Sequence, residues 1–403
     1  MQTSELNKRK CAYIPQELLK EVSKGKNRLT IGIPKEDQTQ EKRLVLTPEA
    51  VDMITESGHQ VIIEKNAGLG INYSDAAYAD AGAIIVTTPA EVFQSNIIFK
   101  IAPPTMEEIS LIKSRSTIFC MLQLSSFSTE IIQAMMAKKL TAAGYELLAN
   151  HQNNYPVRNS ISEIEGAASI SVASELLSNA HGGKGILMGG VPGVSPTEVV
   201  IIGAGIAGRT AARAALGLGA TVKVFDNEIY KLREMQHTLG QMLFTSVFQP
   251  HVLVNAFKSA DVVIGAMRYI DAPVRHIISE EVVRTMKKGA LIIDLRINQG
   301  GCFETTCFIP EGHPDIFEKH GVLHYCVPNL SSRVARTTSM ALSNIFAPLI
   351  TQIGETGGIS GKIKGDVGFC SGFYMYAGKL VNAYVAKHFN LPSNDIGLYL
   401  ATY

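Results

Sequence analysis

Ten residues in the middle of the chain have the types and spacing to hold a diphosphate. Val199-Val200-Ile201-Ile202 reads as a buried strand, and Gly203-Ala204-Gly205-Ile206-Ala207-Gly208 follows as G-x-G-x-x-G before the helix-forming stretch Arg209 to Leu216. Gly203 permits a tight turn, Gly205 removes a side chain that would keep backbone N–H groups from a diphosphate, and Gly208 lets the helix approach the strand. An anion placed there meets unpaired N–H groups and the positive end of a helix dipole. Asp226 ends the next apolar strand, 18 residues after Gly208. Its carboxylate can accept from both ribose hydroxyls of a dinucleotide and would repel a 2′-phosphate. The expected cofactor is NAD rather than NADP, held by Gly203, Gly205, Ile206, Ala207, Gly208 and Asp226. The plain alternative is a ligand-free corner between strand and helix.

The elements that position this turn follow an α/β rhythm. Short apolar runs at Leu29 to Ile33, Gln60 to Ile63, Ala83 to Val86, Ile97 to Ile101, Ser116 to Leu124 and Leu140 to Tyr145 alternate with segments of helical spacing such as Pro48 to Ser57 and Ser128 to Lys139. A second series follows a helix-compatible run, Ser162 to Asn179, and a Gly/Pro-rich connector: Glu198 to Ile202, Thr221 to Phe225, Asp261 to Ile264, Ala290 to Asp294 and Val322 to Tyr325. The tail from Val334 has mostly helical spacing, including Ser339 to Ile353 and Tyr374 to Phe389, and is expected to pack back on the first series. The expected fold is α/β, with two Rossmann-like, doubly wound parallel-sheet domains and a cleft between them. The boundaries are an N-terminal extension over 1–28, a discontinuous substrate domain over 29–155 plus 335–403, and a dinucleotide domain over 156–334.

Composition narrows the partners. The 403 residues imply two or three domains at roughly 150 residues each. Apolar residues at 46% and charged residues at 18% allow large buried cores and exclude disorder as the main state. A net charge of +1 gives no field for nucleic acid or anionic membranes. No run approaches the ~20 apolar residues of a spanning helix, and the first 27 residues lack the apolar centre of a secretory signal. The six cysteines are scattered without metal-type pairing, so neither a metal site nor disulfides are expected, and the chain reads as cytoplasmic. The spacing of Cys302 and Cys307 reads as chance.

Beyond these patterns the residues resemble a family. Ile31-Gly32-Ile33-Pro34-Lys35-Glu36, Arg43-Leu44-Val45-Leu46-Thr47-Pro48, Gly58-His59, Ala67-Gly68-Leu69-Gly70 and Ala81-Gly82-Ala83 are similar to the N-terminal domain shared by alanine dehydrogenases and the nicotinamide nucleotide transhydrogenase α-subunit. Gly183 to Val194, Gln299-Gly300-Gly301-Cys302-Phe303-Glu304 and His324 to Asn329 resemble alanine dehydrogenase in particular. The resemblance implies oxidative deamination of L-alanine to pyruvate and ammonia with NAD, in a homo-oligomer, hexamer or dimer. By it Asp226 binds the adenosine ribose, Lys231 lies nearby, Ser162 approaches the phosphates and Asn329 lines the nicotinamide side. Arg43 would grip the carboxylate of an amino acid or 2-oxo acid, a task suited to a guanidinium fork that keeps its proton. The plain alternative for Arg43 is a surface or helix-pairing arginine.

Three positions depart from that pattern. The family's catalytic lysine falls on Ala102 in Lys100-Ile101-Ala102-Pro103-Pro104, its histidine on Gln123 and its aspartate on Asn298, where Arg296 also replaces a small residue. Each change removes a group that carries charge or exchanges a proton, and two leave amides of similar shape. An amide orients water or a carbonyl but is no base near neutrality. Proton transfer contributes ~10²- to 10⁴-fold, so slow turnover is the expected result of its loss. Lys100 shares a strand face with position 102 and is a candidate substitute. Lys35, Glu36, Tyr145, Glu146 and His324 are further titratable candidates, each more expected as an edge residue or ion-pair partner. The leading expectation is an NAD-dependent amino-acid dehydrogenase with an altered catalytic set: Arg43, Lys100, Gln123 and Asn298. The alternatives are a regulatory NAD-binding homologue and a transhydrogenase-α-like hydride-transfer component.

Overall fold

The computed structural model describes residues 28–39, 41–267, 276–309 and 315–401; of the expected extension over 1–28, all but Arg28 lies outside them. The chain divides into two compact units, one comprising Met1–Arg158 with Ser339–Tyr403, the other Asn159–Thr338. No helix among the described residues is long and apolar enough to cross a membrane.

The first unit is built on strands β1 (Thr30–Ile33), β2 (Gln60–Glu64), β3 (Ile84–Val86), β4 (Ile97–Phe99), β5 (Thr117–Cys120) and β6 (Thr141–Gly144). They pair in parallel in the order β6-β5-β4-β1-β2-β3. Strand order reverses between β1 and β4, which creates a crevice at the carboxyl ends of these two neighbours. Phe99 and Phe119 stack with centroids 4.5 Å apart, and Phe346 from the returning helix Ala335–Glu355 closes on Phe99 and Tyr145. Ser339 and Ser343, one turn apart on that helix, accept the Leu44 and Thr47 amides at 2.9 and 2.8 Å. These bonds fix the segment that carries Arg43.

The second unit contains β7 (Glu198–Ile202), β8 (Thr221–Phe225), β9 (Phe244–Ser246), β10 (Val262–Gly265), β11 (Leu291–Asp294), β12 (Ile316–Lys319) and β13 (Val322–Tyr325), in the order β12-β13-β11-β10-β7-β8-β9. β10 and β11 are buried along their whole length, as strands covered on both faces must be. Here the reversal lies between β7 and β10. The glycine turn leaves β7 at that point.

Two expectations need correction. Each sheet is parallel except at one edge, because β12 runs antiparallel to β13 and the tail adds an antiparallel hairpin, β14 (Phe373–Tyr376) and β15 (Lys379–Leu380), beside β6. The segment Tyr374 to Phe389 is therefore not one helix; only Ala383–His388 is helical. Phe373-Tyr374-Met375-Tyr376 is an aromatic, strand-forming run, and Ala377 and Gly378 turn at φ +46° and +79° as a tight two-residue hairpin requires. Spacing of apolar residues alone concealed both signals.

Candidate active site

At the β7/β10 reversal the glycines have separate jobs. Gly203 turns at φ +110°, and a Cβ there would stand 2.7 Å from the Met267 nitrogen. A Cβ on Gly208 would stand 1.9 Å from the Gly203 carbonyl oxygen. Gly205 has ordinary backbone angles, φ −70° and ψ −170°, and a Cβ on it would meet nothing within 4 Å. The protein itself gives no reason for glycine at 205, so its missing side chain leaves room for a ligand. Helix Ile206–Gly217 starts there without a side-chain cap, leaving the first amides, including those of Ile206 and Ala207, without intrahelical acceptors. This cradle fits a diphosphate.

Of the other expected coenzyme residues, Asp226 is bonded directly to this turn. Gly166, inside helix Pro156–Leu177, allows that helix so close that a Cβ would lie 2.2 Å from the Ala207 carbonyl. Ser162 is one turn earlier on the same helix face. Asp226 is 2% exposed and accepts the Ala204 amide at 2.7 Å and the Glu228 amide at 2.9 Å. It braces the turn, and the lone pairs left on its two oxygens are what a ribose would use. Lys231 pairs with Glu228 at the surface. Asn329 is half-buried in the left-handed region at φ +54°, which asparagine tolerates. Asn298 is exposed in the short turn Ile297–Gln299 that follows β11.

At the β1/β4 reversal of the first unit, charge is buried and internally paired. Arg43 is 1% exposed and is no surface arginine. Its Nε donates to Glu41 Oε1 at 2.8 Å, one terminal nitrogen donates to Oε2 at 2.6 Å, and its backbone N–H also donates to Oε1 at 2.9 Å. The Nε edge of the fork thus already holds a carboxylate. Lys100 Nζ donates to both oxygens of Glu108 at 2.7 Å and lies 3.8 Å from Glu36. Glu108 is held in turn as the third residue of a capping box with Thr105. Burial alone would lower the Lys100 pKa, but Glu36 and Glu108 outweigh it and raise it. Lys100 is therefore a fixed positive charge. Gln123 is half-buried just after Leu122, whose amide donates to Glu146 at 2.8 Å.

Glu36 accepts the Ile101 amide, and burial pushes its carboxyl up to about 7 although Lys100 and that amide pull it down. A folded pKa above the ordinary carboxyl value of 4.5 adds stability below pH 4.5 that is lost as pH rises toward 7. Glu36→Gln should remove that loss, so its Tm relative to the parent rises between pH 5 and pH 8; a difference independent of pH would contradict a titrating Glu36. His324 lies in the core. Its Nδ1 donates to the Val322 carbonyl and its Nε2 accepts from Thr305 at 2.9 Å, while burial pushes it down to about 4, so it stays neutral. Tyr145 is buried and donates to the Ile101 carbonyl at 3.2 Å. Cys120, Cys302 and Cys326 are core thiols, and burial raises each; Cys307 is exposed.

Sequence reasoning missed Glu41 and Glu108, the two carboxylates that occupy the expected cations. The Thr105-x-x-Glu108 spacing announces a capping box, and Glu41 stands two residues before Arg43. It also missed Asp294, whose buried carboxylate accepts the Arg296 and Cys302 amides and the Thr306 hydroxyl, and so shapes the loop after β11.

Comparison with known proteins agrees with this architecture. Residues 32–165 match the model of the alanine dehydrogenase/PNT N-terminal domain, and residues 169–383 that of the C-terminal domain. The alanine dehydrogenase of Staphylococcus saprophyticus is 36% identical over 368 residues, covering 91% of this chain and 99% of that protein. The Bacillus subtilis alanine dehydrogenase is 36% identical over 82% of this chain and 87% of its own length. A solved L-alanine dehydrogenase superposes with a TM-score of 0.84 at 31% identity, covering 90% of this chain and 99% of that one. A transhydrogenase structure from Sinorhizobium meliloti shares the fold, with a TM-score of 0.73 at 23% identity. With both domain models matched in order and relatives aligned over nine-tenths of its length, the chain belongs to the alanine dehydrogenase/PNT family.

Proposed function

We propose that the chain is an NAD-dependent amino-acid dehydrogenase of the alanine dehydrogenase type, a cytoplasmic homo-oligomer, hexamer or dimer. Its reaction converts an L-amino acid, NAD and water to the 2-oxo acid, ammonium, NADH and a proton; for L-alanine the product is pyruvate. The observation that carries the coenzyme half is the room at Gly205 above an uncapped helix start. Gly203, Gly205, Ile206, Ala207 and Gly208 would hold the diphosphate, Asp226 and Lys231 the adenosine end, Ser162 the phosphates and Asn329 the nicotinamide side. Bound there, NAD supplies the hydride acceptor.

The remaining work falls to side chains. Arg43 orients the substrate carboxylate, and Gln123 and Asn298 orient the carbon that loses hydrogen and the water that adds to it. Lys100, fixed by Glu108 and Glu36, stays charged and anchors these carboxylates at the β1/β4 crevice rather than exchanging a proton. Proton release falls to water held by the two amides, a slower route than a side-chain base.

The test follows NADH formation with L-alanine and a panel of other L-amino acids from neutral to alkaline pH. Turnover on at least one is expected. Coenzyme binding without turnover on any would overturn the dehydrogenase reading. It would favour the second reading, a regulatory NAD-binding homologue, for which the complete engagement of Lys100 by carboxylates speaks.

A further inference from the structure

Arg43, Arg209, Arg284 and Arg333 each hold a carboxylate within the protein. Arg296, in the loop after β11, holds none among the described residues, and its Nε is buried without any hydrogen-bond partner. The backbone at this position is fixed: the Arg296 amide donates to Asp294 at 2.9 Å and its carbonyl accepts from Gln299 and Gly301. Asp294 makes no ion pair with the guanidinium; its carboxylate instead accepts the Cys302 and Arg296 amides and the Thr306 hydroxyl. A guanidinium cannot shed its proton, so a buried, unpaired donor on it carries a desolvation cost until an anion arrives.

Strand order says which anion. β11 lies two strands from β7, on the side away from β8. At ~4.8 Å per strand that is roughly 10 Å across the sheet from the diphosphate cradle. A dinucleotide with its diphosphate at Gly205 and its adenosine toward Asp226 at the end of β8 must extend its nicotinamide end the other way, over β10 toward β11. Arg296 therefore stands at the reacting end of the coenzyme. Resting on the dehydrogenase reading and narrowing its substrate, we infer that Arg296 binds a carboxylate of the reactant other than its α-carboxylate. The reactant is then an L-amino acid with an acidic side chain, and the product a 2-oxo dicarboxylate. Asn298, neutral and two residues away, adds no negative charge to oppose such a group.

The experiment is equilibrium binding, independent of turnover. NADH affinity is measured first, then pyruvate, oxaloacetate and 2-oxoglutarate are titrated into the full chain saturated with NADH, with Arg296→Met alongside. At least one dicarboxylate should bind tenfold or more tightly than pyruvate. Arg296→Met should abolish that preference while leaving NADH and pyruvate affinities unchanged and Tm not lowered, since the guanidinium holds no carboxylate among the described residues and its Nε has no hydrogen-bond partner among them. Equal affinity of parent protein for mono- and dicarboxylates would overturn the assignment, as would a variant that loses NADH affinity, because the anion would then be a coenzyme phosphate. A large fall in Tm would reveal a structural partner and overturn it as well. Protein that binds no NADH sinks the dehydrogenase reading and this inference together; protein that binds NADH without preferring dicarboxylates sinks only the inference.

Discussion

Gly205→Val should leave the protein folded and remove coenzyme binding, while Gly208→Ala, a smaller change three residues on, should damage the fold itself. The two glycines look alike in a sequence motif and differ in what surrounds them. A Cβ at 205 would meet no heavy atom of the described residues within 4 Å, and its backbone angles suit any residue, so valine there is expected to be accommodated in the free protein. It does stand where a diphosphate must approach the amides of Ile206 and Ala207. Hydrogen bonds to a charged group contribute about 1.5–3 kcal/mol each, so loss of two predicts roughly 10²- to 10⁴-fold weaker NADH binding. At 208 the added methyl would meet the Gly203 carbonyl oxygen at 1.9 Å, which forces helix and strand apart. Overpacking of this kind costs about 1–3 kcal/mol and should lower Tm by several degrees. Thermal melts and NADH titrations of both variants read the difference. A Gly205→Val protein that binds NADH normally would show that the turn is only a corner.

Both sheets are legible in the sequence because their central strands are continuous apolar runs bounded by turns, and the coenzyme turn because its glycines and Asp226 are spaced as the ligand demands. The edges are less legible. β9 and β12 are short and only partly buried, so they lack the apolar run that marks β7 or β10. The site in the first unit is legible as a set of residue types but not as a network. Arg43 and Lys100 are evident as cations, yet whether a cation stands ready or is already held depends on side chains from the next turn or the next helix. Glu108 reaches Lys100 because a capping box holds it, and Ser339 and Ser343 brace the Arg43 segment from almost 300 residues away. Departures at positions 102, 123 and 298 are visible only against a family pattern. Composition and periodicity are silent about them.

Removing Glu41 should unfold the first unit far more readily than removing Glu41 and Arg43 together. Both side chains are buried, at 6% and 1% exposure, and they share a two-point contact. Breaking one partner of a buried pair costs about 3–5 kcal/mol, because the other charge keeps its desolvation without its counterion, whereas replacing both by apolar groups of similar volume is often close to neutral. Glu41→Ala is expected to lose about that much in denaturant melts, and Glu41→Leu with Arg43→Met to recover most of it, a coupling that the double-mutant cycle isolates. The same double variant separates architecture from recognition. If Arg43 also orients the substrate carboxylate, the refolded double variant should keep its NADH affinity and show a KM for the amino acid raised by at least tenfold, with kcat changed less. A double variant that is stable and retains the parent KM would confine Arg43 to holding the loop after β1. Carboxylate recognition in this protein would then rest on other cations.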